Sequence, residues 1–177
     1  MIAIGHLPRR ILGLMVDVVL VVMVVVVALL LVLPLTGRHL IVITGGSMEP
    51  TIPLGGLVLA ERPADPAAIA VGDIVTIRLP QGTVYTHRVA RIEDTSGVRL
   101  LVTKGDNNDS ADAAPVPVDE VIGVARLWVP LGGYVVTFLQ TTQGRIAFFA
   151  LLVALFALRW FYDDLFEPDP LAPAQPR

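Results

Sequence analysis

Residues 11–35 are 25 consecutive positions with a single charge, Asp17. At about 1.5 Å of rise per residue, a helix of that length exceeds the ~30 Å hydrocarbon core of a bilayer. The valine-rich stretch 18–27 would make a mediocre helix in water. In lipid every backbone group must find its partner inside the segment, so helical bonding overrides side-chain propensity. A removable signal peptide would have a shorter apolar core followed by a small-residue cleavage site. Here the run continues to Pro34 and is followed by Arg38 and His39, which favours an uncleaved anchor over residues 11–35.

A second apolar segment, residues 146–158, is bounded by Arg145 and Arg159 and followed by Trp160, Phe161 and Tyr162. Thirteen residues is short for a span. If the arginines snorkel and the aromatic trio sits at an interface, residues 145–162 form a second transmembrane helix across a locally thinned bilayer. The competing reading is an amphipathic or buried helix. Arg9 and Arg10 precede the first span, whereas Arg38 alone follows it closely with His39. The positive-inside bias therefore puts residues 1–10 in the cytoplasm and residues 37–144 on the exoplasmic side of the plasma membrane. Residues 163–177 hold four prolines among acidic and small side chains and read as a disordered cytoplasmic tail.

Between the spans, residues 38–126 carry eight basic and eleven acidic side chains, an ordinary balance for a small folded core. Short β-branched runs at 57–59, 74–79, 83–92, 98–103 and 121–129 alternate with turn signals such as Leu54-Gly55-Gly56, Ser96-Gly97 and residues 105–108. Pro80-Gln81-Gly82 is the clearest hairpin turn, and residues 63–70 read as a surface excursion. The apolar runs 40–43 and 131–139 read either as core strands or as segments dipping into the headgroup layer. The fold class is thus mainly β: a small antiparallel β domain with an N-terminal transmembrane helix and a second at its C-terminal side.

A formal charge of -3 without any basic block argues against nucleic acid as a partner. The chain has no cysteine, which excludes disulfides, thiolate metal sites and thiol nucleophiles. Any nucleophile must therefore be oxygen or nitrogen. Thr44-Gly45-Gly46-Ser47-Met48-Glu49-Pro50-Thr51 follows the first span by less than a dozen residues, so Ser47 is confined close to the membrane surface. Two glycines before it let the backbone bend and aim N–H groups at a developing oxyanion, although Gly-Gly-Ser is also an ordinary loop sequence. Of three histidines, only His87, in Tyr85-Thr86-His87-Arg88-Val89, lies on an expected strand outside the membrane. An unperturbed imidazole, with a pKa of ~6.5, is mostly neutral at pH 7 and can serve as a base. Lys104 is the competing base. A lysine amine would need depression by roughly three pKa units, and neighbouring carboxylates push the other way. Asp106, Asp109 and Asp112 are all candidates to accept the second imidazole N–H. The same series does not match a calcium loop, because it lacks the glycine and glutamate that the EF-hand pattern places at its sixth and twelfth positions.

In this order the motifs resemble type I signal peptidases of the S26 family. GGSMEPT is similar to the nucleophile box, Gly72-Asp73-Ile74-Val75 to the GD-V strand box, THRV to the general-base box and Thr103-Lys104-Gly105-Asp106-Asn107-Asn108 to the last catalytic box. Histidine at the base position resembles the archaeal and endoplasmic-reticulum branch. The resemblance implies a signal-peptidase-like β domain. It implies a membrane-bound serine endopeptidase that removes signal peptides from exported preproteins without a cofactor. It also implies Ser47 as nucleophile, His87 as general base, and Asp112, then Asp106, as the orienting carboxylate. Many relatives carry a serine two positions before the nucleophile where this chain has Gly45, so the oxyanion must lean on the Ser47 N–H, with Thr44 or a water as candidates for further help. The implied partners are secretory preproteins and the lipid bilayer. The alternative is a catalytically silent, membrane-anchored β module or assembly subunit that binds partner proteins.

Overall fold

The computed structural model describes residues 6–95 and 97–166. Two compact units divide the chain, one combining its two ends and the other spanning Leu30–Thr141.

The first unit is helical. Helix α1, His6–Val32, begins before the expected span and gives way to a 3-10 turn, Leu33–Thr36, once Pro34 removes a backbone donor. Helix α3, Thr142–Phe166, contains the second apolar segment. It continues through Asp163 to Phe166, where the start of the tail was expected. The remainder of the expected tail lies outside the described residues. Ile11–Thr36 and Thr142–Phe161 are each long and apolar enough to cross a membrane. The least exposed side chains of α1 are Val16, Leu20 and Met23, at helical spacing. On α3 the less exposed positions Gly144, Phe148, Leu152, Leu155 and Arg159 recur every three or four residues. The Arg159 Nε donates to Asp17 Oδ1 at 2.8 Å, which brings the middle of α1 beside the carboxy-terminal third of α3.

The second unit is a seven-stranded sheet in the order β1-β2-β7-β3-β4-β5-β6, with every neighbouring pair antiparallel. Its strands are β1 Arg38–Val42, β2 Leu57–Glu61, β3 Ile74–Arg78, β4 Val84–Thr95, β5 Val98–Lys104, β6 Val116–Pro117 and β7 Val121–Val129. All five expected strands are present, and the turn between β3 and β4 falls at Pro80-Gln81-Gly82. There Gly82 takes a positive φ of 92° and its N–H donates to Leu79 O at 2.8 Å. One core gathers Val75, Ile77, Val89, Leu101, Val121 and Val124, and a second gathers Ile43, Met48, Ile52, Val58, Ala60 and Ile74.

Two expectations need correction. Residues 63–70 are not wholly a surface excursion. A 3-10 turn at Pro66–Ala68, capped by the Asp65 carboxylate, drives Ile69 into the first core at 2% exposure. The 131–139 run is a helix rather than a strand: α2 spans Gly132–Gln140. Pro130 has no N–H for a ladder and Leu131 turns the chain with φ 61°. Gly133 then lies so close to the Gly55 carbonyl that a Cβ there would stand 2.7 Å from it.

Candidate active site

Ser47 sits on a loop closed at its base by reciprocal backbone bonds, Ile43 N to Gly56 O and Gly55 N to Ile43 O, both 2.9 Å. Met48 and Ile52 are buried in the second core, at 1% and 0% exposure, and the Ile52 N–H donates to Met48 O at 2.9 Å. With Ile43 buried in the same core before it and Met48 directly after it, Ser47 is held between two apolar anchors.

The segment after β5 completes the cradle. The Asn107 N–H donates to Ser47 O at 2.8 Å, and its side-chain amide donates to Gly46 O at 3.2 Å. Gly105 passes so near that a Cβ would lie 2.6 Å from Ser47 O, a backbone atom that cannot step aside without moving the nucleophile. Gly105→Ala is therefore expected to lose about 1–3 kcal/mol of stability and to slow any Ser47-dependent reaction by about 10²-fold. Thermal unfolding and single-turnover rates would show this; an alanine variant with parental rates would contradict such close contact.

His87 projects from β4 with its Nε2 3.1 Å from Ser47 Oγ and its Nδ1 2.7 Å from Asp112 Oδ2. An ionised carboxylate only accepts, so the proton of the neutral ring sits on Nδ1 and the Nε2 lone pair faces the serine hydroxyl. Thr103 Oγ1 donates to the same Asp112 Oδ2 at 2.6 Å, and the Asp112 N–H donates to Thr103 O at 2.8 Å. Tyr85, two residues before His87 and on the same strand face, meets the imidazole edge-on at a centroid distance of 5.0 Å. Burial pushes its phenol above the ordinary value.

Asp106, the second carboxylate candidate, is engaged elsewhere. Arg88 donates to it through Nε at 2.8 Å and Nη2 at 2.7 Å while Nη1 donates to Gly72 O at 2.8 Å. This fork holds the Asp106 carboxyl below the ordinary range, against a smaller opposing effect of burial and with help from the Thr51 hydroxyl; the Arg88 guanidinium is raised in turn. Because the folded-state value is depressed, the contribution to stability is complete above the ordinary carboxylate pKa of about 3.9 and is lost as pH falls through the lowered one. Asp106→Asn should accordingly lower Tm at pH 7, and the gap to the parent should close below about pH 4. A gap independent of pH in a series of melting curves would contradict this pairing. Asp109 is exposed, and Lys104, whose Cα pairs with that of Arg88 across β4 and β5, takes no part in the contacts around Ser47. Among the described residues no three His, Asp or Glu side chains converge as metal ligands would.

A cleft of about 380 Å³ borders the serine, with Ile41, Ile43 and Gly45 among its lining residues from one segment and Val84 and Tyr85 from another. Both segments offer free strand edges. Among the described residues β1 pairs only with β2, and residues 84–87 of β4 pair only with β3 because β5 joins at Arg88. Space for a side chain at Gly45 is open, with nothing within 4 Å of a Cβ there.

Residues 15–93 match the family described as signal peptidase, peptidase S26. The match includes Ser47 and His87 and stops before Asp106 and Asp112. The chain is 30% identical over 132 residues to the signal peptidase complex catalytic subunit SEC11 of Eremothecium gossypii, covering 66% of this chain and 75% of that protein. It belongs to the S26 signal peptidase family. It is also 38% identical over 85 residues to signal peptidase I W of Bacillus subtilis, covering 48% of this chain and 45% of that one. Against the SEC11 subunit of Yarrowia lipolytica the identity is 32% over 113 residues, covering 59% and 64% respectively. The matched region thus spans less than two thirds of the latter two relatives. Together with the two apolar helices, these relatives make this S26 member a membrane-associated protein.

Thr103, Tyr85, Asn107 and Arg88 stood in the sequence motifs without a role of their own. Period-2 alternation on β4 carries a usable signal, since it puts Tyr85 and His87 on one face and sends Arg88 to the other.

Proposed function

We propose that this protein is a membrane-bound serine endopeptidase that removes signal peptides from exported preproteins, with Ser47 as nucleophile, His87 as general base and Asp112 as the carboxylate that orients it. The observation that carries the reading is the unbroken line from Ser47 Oγ through both imidazole nitrogens to Asp112 Oδ2, with separations of 3.1 and 2.7 Å. As Oγ attacks the scissile carbonyl carbon, its proton passes to His87 Nε2 and the imidazolium is stabilised by Asp112. The oxyanion accepts from the Ser47 N–H, since Gly45 brings no hydroxyl. The imidazolium then protonates the departing amine, the C–N bond breaks, and an ester remains on Ser47. Water, deprotonated by Nε2, hydrolyses that ester and restores the hydroxyl.

The free edges of β1 and β4 beside the cleft suit an extended peptide, which would gain main-chain hydrogen bonds from both. A signal peptide leaves its apolar core in lipid, so an enzyme anchored by α1 meets the cleavage region at high effective concentration. The membrane proposed is the plasma membrane, and an orientation with residues 37–144 exoplasmic is favoured by Arg9 and Arg10 ahead of the first span. The Asp17–Arg159 pair supports α3 as a second span, because a charge in lipid is retained where an opposite charge meets it.

The test is to incubate the detergent-purified chain with a secretory precursor and sequence the amino terminus of the product. A single new terminus after the signal region is expected, whereas an intact precursor or scattered cuts within the mature region would overturn the proposal. Protease protection in sealed membranes should place both chain ends on one side and residues 37–144 on the other.

A further inference from the structure

Thr103 is completely buried near the end of β5, yet its hydroxyl is spent on no backbone group. It points at Asp112 Oδ2, the same oxygen that accepts from His87 Nδ1. We propose that Thr103 is a positioning residue for the reaction, acting through Asp112; this rests on the peptidase reading above and deepens it.

An orienting carboxylate is useful only if it holds the imidazole in one tautomer and one rotation. Asp112 lies on an irregular segment and its side chain keeps 23% exposure, so packing alone does not stop it from turning. Thr103 holds it at two points: its carbonyl accepts the Asp112 N–H at 2.8 Å and its hydroxyl reaches Oδ2 at 2.6 Å. The first bond locates the residue, and the second selects which carboxylate oxygen faces His87. With donors from Thr103 and His87 both on Oδ2, rotation of the carboxylate would break two charge-assisted bonds at once. The donor itself is rigid. Thr103 is β-branched, sits on a paired strand opposite Val89, and is flanked by the buried Leu101 and Val102. The other buried threonines among the described residues, Thr76 and Thr86, bond each other at 2.9 Å on β3 and β4. The Thr103 hydroxyl instead reaches from a core strand to the line of reacting groups, with the Tyr85 phenol as a further neighbour.

Thr103→Val keeps the shape and removes the donor. In the purified full chain it should lower kcat by about 10- to 100-fold with KM within about two-fold, as expected for loss of a hydrogen bond to a charged group. Thr103→Ser, which restores the hydroxyl, should return kcat to within about three-fold of the parent. In an Asp112→Asn background, Thr103→Val should cost less than about two-fold more, because the two changes remove the same device. Thr103→Cys, with its weak S–H donor, gives an intermediate kcat and takes the place of the valine variant if that one fails to fold. A donor-deficient variant with the parental kcat, or one that loses as much in the Asp112→Asn background as in the parent, would overturn the proposal. The two readings fail separately: cleavage untouched by Ser47→Ala removes the peptidase reading, while Ser47-dependent cleavage indifferent to Thr103 removes only this inference.

Discussion

Ser47→Ala, and separately His87→Ala, should each reduce precursor cleavage by about 10⁴- to 10⁶-fold, leaving only the residual rate that binding and the oxyanion N–H can supply. The two groups share one proton transfer across 3.1 Å, so neither retains its role without the other. The double variant should therefore be no slower than the worse single one, the signature of residues acting as a unit. Neither change should unfold the domain. The loop that carries Ser47 is held by the burial of Met48 and Ile52 and by backbone bonds at Ile43, Gly55 and Gly56, none of which involves the hydroxyl. His87 belongs to neither core cluster, and its ring contact is with Tyr85 at the margin of the first. Melting curves close to the parent, combined with lost cleavage, would separate chemistry from stability.

Asp112→Asn is the second change with a large expected effect, a fall in kcat of about 10⁴-fold. Whichever amide atom meets Nδ1, the imidazolium loses the negative charge that stabilises it, and an amide N–H there also moves the ring proton to Nε2, where it faces the serine with the wrong polarity. Geometry would survive while function is lost. Asp106→Asn makes the contrast, since it breaks the Arg88 fork and acts on stability in the pH-dependent way described above, with a smaller effect on rate. Equal losses of kcat in the two variants, at equal stability, would contradict separate duties for these carboxylates.

Much of this was legible in the sequence for physical reasons that can be named. A 25-residue stretch with one charge has few destinations outside lipid. β-branched runs punctuated by glycine and proline give an antiparallel sheet, and Pro80-Gln81-Gly82 marked its hairpin. Ser47 and His87 stood out because a glycine-rich bend and a strand-borne imidazole are each suited to one role. The two carboxylates could not be told apart in the same way. Both lie in one acidic loop, and which one meets His87 depends on how the chain leaves β5. It depends too on Arg88, which alternation sends away from the imidazole and which takes Asp106 for itself. Short apolar runs were ambiguous for a different reason. Nine residues from Gly132 carry no signal that separates strand from helix, and the outcome turned on Pro130 ending β7 and on a glycine contact with Gly55. The buried hydroxyl of Thr103 was invisible, because a threonine inside a β-branched run reads as one more strand residue.

The most direct test of the Ser47–His87 chemistry is to catch the ester. Mixing the detergent-purified chain with a secretory precursor, quenching in acid within the first turnover and mapping the peptides by mass should place the acyl portion of the precursor on the peptide that contains Ser47, with no such adduct in Ser47→Ala. Cleavage that proceeds at parental rates in Ser47→Ala, or an acyl adduct on another residue, would contradict it.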